Sequence, residues 1–251
     1  VEQSVTAHHG ASGISIGDIT NVARPAGADA EKRSEAPPVS RILILGSNPD
    51  GTSRLRLDRE ARAIEDALGA APASRRRFEL LLGWASSALD IQQDLFRHRP
   101  ELVHYSGHGS AAGELVLEAQ RFRDLGRREP TSCEMAGGAP APVAALARLL
   151  AAAPGARCVV LNACHSAALA EAVAEQADCA IGMAAAVSDD GAVAFAWGFY
   201  HALAQGESVA AAAADLASVQ MELIDPSRRQ CPRLFNTRRH AEGAAGIRWA
   251  S

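Results

Sequence analysis

Lysine is nearly missing from this chain: Lys32 is the only one, and arginine supplies the remaining positive charge. Aromatic residues make up 4% of it, so any core must be built from aliphatic side chains and alanine. No apolar run is long enough to span a bilayer, which excludes a helical membrane protein. We read no signal peptide and no lipidation motif, and so expect no membrane partner and a reducing, cytoplasmic compartment. The five cysteines, Cys133, Cys158, Cys164, Cys179 and Cys231, show neither CxxC nor Cys/His ligand spacing. That argues against a disulfide framework and against structural zinc. Phosphate-binding signatures are absent too: Gly46-Ser47-Asn48-Pro49-Asp50-Gly51 is neither GxGxxG nor a P-loop. No G-x-S-x-G elbow occurs. We expect neither a metal nor an organic cofactor. A formal net charge of −4 argues against a nucleic-acid partner, and Arg228, Arg229, Arg238 and Arg239 read as a solvated face.

What remains is a 251-residue chain, 48% hydrophobic, with room for one large α/β domain. It opens on Val, as expected of a fragment or a processed product. Residues 1–40 are rich in Gly, Ala, Ser and Pro and read as a linker or partly ordered arm. Within them Ile14-Ser15-Ile16-Gly17-Asp18-Ile19 alternates like a short edge strand. The texture changes at Arg41. Ile42-Leu43-Ile44-Leu45-Gly46 is an apolar run closed by glycine, the pattern of a strand covered on both faces. Leu57, Ala61, Ile64 and Leu68 then mark one face of a helix.

Further strands are predicted at 78–82, 101–106, 157–161 and 179–183. Helices are predicted at 89–96, 143–152, 166–176, 191–203 and 209–223. Residues 114–118 read as a strand or hairpin inside a long Gly/Pro-rich segment, 110–142, of the kind that is often functional. Strands alternating with helices imply an open, mostly parallel sheet with helices on both faces. The segment 225–251 is expected to pack on this domain or extend it.

Two blocks carry chemistry: His104-Tyr105-Ser106-Gly107-His108-Gly109 and Asn162-Ala163-Cys164-His165-Ser166. Each ends a run that reads as a buried strand. In an open α/β sheet the carboxyl ends of neighbouring strands form the ligand crevice, so a cysteine and a histidine there suit a thiol nucleophile and its base. A free thiol is only a few per cent ionised at neutral pH and needs such help. Cys164 is the candidate nucleophile and His108 the candidate general base and acid. The N–H groups of Gly109 and Cys164 are candidates for the oxyanion hole. The same residues also suit a buried structural cysteine and a turn histidine. His104 lies inside its strand, and on a strand its spacing from His108 is roughly 13 Å, too far for a shared metal.

Taken jointly, these blocks, with Ile181-Gly182-Met183, Val187-Ser188-Asp189-Asp190, Phe195, Phe199-Tyr200 and Leu203, resemble the CHAT domain over residues 41–224. CHAT domains are caspase-like peptidases, in the clan of separases, gingipains and metacaspases. As in caspases, the histidine stands roughly 50 residues upstream of the cysteine. The resemblance implies a caspase-like fold with His108 and Cys164 as a dyad and Gly109 as an oxyanion contributor. It places Asn162 two positions before the nucleophile, where caspases line the primary specificity pocket. Asp189 and Asp190 fall where caspases place groove residues, and acids there suit Arg or Lys at P1. Either Asp, or Ser188, is equally suited to cap the helix that follows.

The function implied is a cysteine endopeptidase acting on a protein or peptide substrate as a regulated effector in bacterial defence or cell death. A sensing or adaptor domain, or such a partner, is expected at the N-terminal side. A non-catalytic interaction module and a small-substrate amidase or acyl transferase are the competing readings.

Overall fold

A run such as Ile42 to Leu45, apolar on both faces, must be roofed on both sides, and this requirement organises the chain. The computed structural model of the protein describes residues 39–70, 77–119, 138–228 and 231–236. In chain order the first half comprises β1 (Val39–Gly46), α1 (Leu57–Gly69), β2 (Arg77–Trp84), α2 (Ala88–His98), β3 (Leu102–Ser106), β4 (His108–Gly109), β5 (Leu115–Leu117) and β6 (Ala139–Ala141). The second half comprises α3 (Val143–Ala151), β7 (Cys158–Asn162), α4 (Ala167–Ala174), β8 (Cys179–Met183), α5 (Asp189–Ala204), α6 (Val209–Ala211), α7 (Ser218–Ile224) and β9 (Pro232–Asn236).

The main sheet runs in the order β2-β1-β3-β7-β8-β9. All neighbours are parallel except β9, which pairs antiparallel with β8. A smaller antiparallel sheet, β4-β5-β6, stands beyond the carboxyl end of β3. The fold is therefore the expected open, mostly parallel α/β sheet. Alternation along the strands splits the core in two. Ile42, Ile44, Val160 and Ile181 pack towards α1 and α5, whereas Leu43, Leu45, Val103, Val159 and Leu161 pack towards α2, α3 and α4. Each fully buried Leu or Ile contributes about 1.5–3 kcal/mol.

Local signals place the helix ends. Ser87 and Asp90 form a reciprocal capping box at the start of α2, and Arg99 ends it in the left-handed region at φ 46°. Pro100 follows, as the sequence predicts. Two segments differ from expectation. The predicted helix 209–223 contains a π turn, Ala212–Ala217, where the Ser218 hydroxyl donates to the Ala213 carbonyl. The region after Asp225, read from sequence as a tail, supplies β9. Its Leu234 packs on one layer of the core and its Phe235 on the other. The N-terminal arm up to residue 38, the strand at 14–19, and residues 120–137 of the long segment lie outside the described residues. No described helix is long and apolar enough to cross a membrane.

Candidate active site

Strands β3 and β7 are adjacent and in register, so Ser106 faces Asn162 and the two strands end at the same level. The order of strands reverses between β1 and β3, which opens a crevice at the carboxyl ends. There the chain leaves β3 through Gly107 into His108 and leaves β7 through Ala163 into Cys164. Both side chains line one cleft of about 430 Å³, including its solvent-open part. The cleft is bordered by Leu55 and Leu57 from the first βα connection and by Val187 and Asp189 from the start of α5.

Gly109 fixes the contact between the two strand ends. A Cβ built there would collide with the carbonyl oxygen of Cys164 and lie 2.9 Å from its carbonyl carbon. Only glycine permits the backbone after His108 to rest on the nucleophile's own peptide. On the other side of the cysteine, His165 adopts φ 56°, in the left-handed region that non-glycine residues rarely occupy. Such turns concentrate at functional sites. The His165 N–H donates to the Ala185 carbonyl, which holds this bend.

The imidazole of His108 is oriented by a backbone group, with Nε2 2.7 Å from the Ser53 carbonyl oxygen. Since a carbonyl only accepts, Nε2 carries the proton and Nδ1 is the nitrogen left to take one. The Cys164 sulfur lies against Val187, accepting from its N–H at 3.3 Å and facing its carbonyl at 3.6 Å. No hydrogen bond joins His108 to Cys164 in this structure; in a substrate-free site such bonds commonly tighten only on binding.

Of the candidate substrate residues, Asp189 lines the cleft and Asp190 does not: its carboxylate pairs with Arg59 at 2.9 Å and is 66% exposed. Ser188 is the cap, its hydroxyl accepting from the Gly191 N–H. Ser188→Ala is therefore expected to lower stability by about 1 kcal/mol, seen as a fall of roughly 2–4 °C in the unfolding midpoint. Asp189→Asn should leave the midpoint nearly unchanged.

Asn162 lines the cleft but is nearly buried, and its amide donates to Glu60 at 2.7 Å and to the Ala192 carbonyl at 3.0 Å. Glu60, which with Leu57 and Ile64 suits the first βα unit of the family, is a residue to which sequence reasoning assigned no role. It projects from α1 towards the sheet, where Ser106 Oγ and His104 Nε2 also meet its carboxylate. A signal existed, because Glu60 falls on the same helical stripe as Leu57, Ala61 and Ile64, and His104 interrupts an apolar strand. Among the described residues no group of three or more His, Cys, Asp or Glu side chains is placed to hold a metal ion.

A family model, described as the CHAT domain, matches residues 15–251. No curated protein matches the chain. Among solved structures, a secreted C11 cysteine protease from Bacteroides thetaiotaomicron, in complex with an irreversible peptide inhibitor, is similar at 15% identity with a TM-score of 0.45. That match covers 72% of this chain and 58% of the protease chain, so this chain spans less than two thirds of its length.

Proposed function

The chain belongs to the CHAT domain family, and from that premise and the cleft geometry we propose that it is a cysteine endopeptidase using Cys164 and His108. The observation that carries the proposal is the meeting of these two side chains in one open cleft, across adjacent strand ends locked together by Gly109. His108 Nδ1 takes the thiol proton, and the sulfur attacks the peptide carbonyl to form a tetrahedral intermediate. Its oxyanion faces the N–H groups of Gly109 and Cys164. His108 then returns the proton to the leaving amine, the C–N bond breaks, and an acyl-enzyme remains. Water, deprotonated by the same imidazole, releases the acyl group. Every group in this sequence belongs to the chain, the substrate or the attacking water.

The substrate is a protein or peptide with a basic P1 residue, drawn by the carboxylates that line the cleft. The role implied by family resemblance is a regulated effector in bacterial defence or cell death, linked to an N-terminal sensing or adaptor domain or partner. Cysteines without pairing or ligand spacing suit a reducing, cytoplasmic setting. One observation favours a second reading, a binding module that does not turn over: the Cys164 sulfur is engaged by Val187 and not by His108.

An unbiased peptide-library profile of the wild-type chain beside Cys164→Ala decides between them. The expected result is cleavage after Arg or Lys that vanishes in the variant. Absence of any cleavage, or cleavage that survives the substitution, would refute the peptidase reading.

A further inference from the structure

The floor of the cleft holds a charge that peptide hydrolysis does not use. The Glu60 side chain is 6% exposed and sits beneath the dyad, where its carboxylate meets three donors: Ser106 Oγ at 2.5 Å, His104 Nε2 at 2.7 Å and Asn162 Nδ2 at 2.7 Å. Three donors suit an ionised carboxylate, which only accepts. The other ring nitrogen of His104, Nδ1, is buried without a partner. A proton there would be an orphaned buried N–H, whereas the neutral tautomer with its proton on Nε2 leaves only a lone pair. His104 is thus a neutral donor, and the Glu60 charge is solvated by dipoles without being neutralised.

The nearest arginine in sequence, Arg59, is turned outward onto Asp190. Arg56 lines the cleft but is an exposed residue. A second acceptor adjoins the carboxylate. Asn162 Oδ1 is buried with no partner, and its assignment is fixed because Nδ2 meets two acceptors, Glu60 and the Ala192 carbonyl. Three donors satisfy the carboxylate's hydrogen bonds, but no cation among the described residues balances its charge, and the neighbouring buried acceptor has no donor at all. A cationic, donor-rich group entering the cleft relieves both at once. A neutral donor satisfies the acceptor but leaves the charge unbalanced, and an acidic group relieves neither.

We propose that Glu60, assisted by Asn162 Oδ1, is the specificity-determining carboxylate of the cleft and receives the cationic end of an Arg or Lys side chain at P1. Asp189 stands at the mouth and does not set the choice. This inference rests on the peptidase reading and identifies which residue reads the substrate.

The test compares peptides identical except for Arg or citrulline at P1, since citrulline keeps the shape of arginine without its charge. Wild type is expected to favour Arg by about tenfold or more in kcat/KM, the size of effect that a charged hydrogen bond supplies. Asp189→Asn should keep that ratio. Glu60→Gln should bring it close to one while iodoacetamide still alkylates Cys164 at the wild-type rate, which a merely structural role for Glu60 would not produce. Glu60 and Asp189 are the two carboxylates lining the cleft among the described residues. The ratio in Asp189→Asn therefore decides the matter even if Glu60→Gln fails to fold. Equal cleavage of the two peptides by wild type, or a ratio that collapses in Asp189→Asn, would overturn the inference while leaving the peptidase reading intact. Failure to cut any library peptide would overturn both.

Discussion

Cys164→Ala is expected to reduce turnover to a residual background, and His108→Ala to lower kcat/KM by about 10²–10⁴-fold, the range that a positioned general base contributes. The double variant is expected to be no worse than Cys164→Ala alone, because the two residues act as one unit and their losses do not add. Nε2 of His108 is committed to the Ser53 carbonyl, which leaves Nδ1 free for the proposed proton transfer between sulfur and leaving amine. Steady-state kinetics on a peptide identified by library cleavage checks this. Losses in the two single variants that multiply in the double variant would show that they do not work together.

Gly109→Ala is expected to be nearly as damaging, although it removes no functional group. The added methyl would collide with the carbonyl of Cys164, and backbone cannot swing aside as a side chain can. Either strand end must shift, which separates His108 from the nucleophile and displaces two N–H groups assigned to the oxyanion. Loss of one such donor alone costs about 10²–10³-fold in kcat, and overpacking adds about 1–3 kcal/mol of destabilisation. Measuring kcat alongside the unfolding midpoint separates the two effects. A variant with wild-type kcat would mean that the strand ends are not locked as described.

Much of this arrangement is legible in the amino-acid sequence because buried strands announce themselves. Ile42 to Leu45 and Cys158 to Leu161 are apolar without interruption, and residues placed just after such runs must emerge at the strand ends. That is how His108 and Cys164 can be brought together on paper. The Ser53 carbonyl that orients His108 has no such signature, since every residue carries one. Asp189 and Asp190 are consecutive on a helix and point about 100° apart, so sequence cannot tell which faces the cleft. Arg59, which draws Asp190 outward, comes from a different helix. Glu60 is a different case. Its place on an apolar stripe was visible, but a charged residue on a helix is ordinarily solvated, and only the packing of α1 on the sheet turns it inward. Strand β9 escaped notice because Pro232-Arg233-Leu234-Phe235-Asn236 is short and shows no alternation; Leu234 and Phe235 are partly buried, one against each layer, only by virtue of pairing with β8.

The most direct test of the dyad is covalent labelling by a thiol-reactive peptide electrophile, read by mass spectrometry. Cys133, outside the described residues, is first replaced by Ser. Cys158 and Cys179 are buried, and the Cys158 thiol is held well above its ordinary range by its contact with Cys179 and by burial. Burial likewise pushes the Cys231 thiol up. The result expected is a single adduct on Cys164, formed at least about tenfold more slowly in His108→Ala, since the imidazole generates the attacking thiolate. An adduct on another cysteine, or labelling of Cys164 at the same rate with and without His108, would contradict the pairing of thiol and imidazole from which the proposed activity follows.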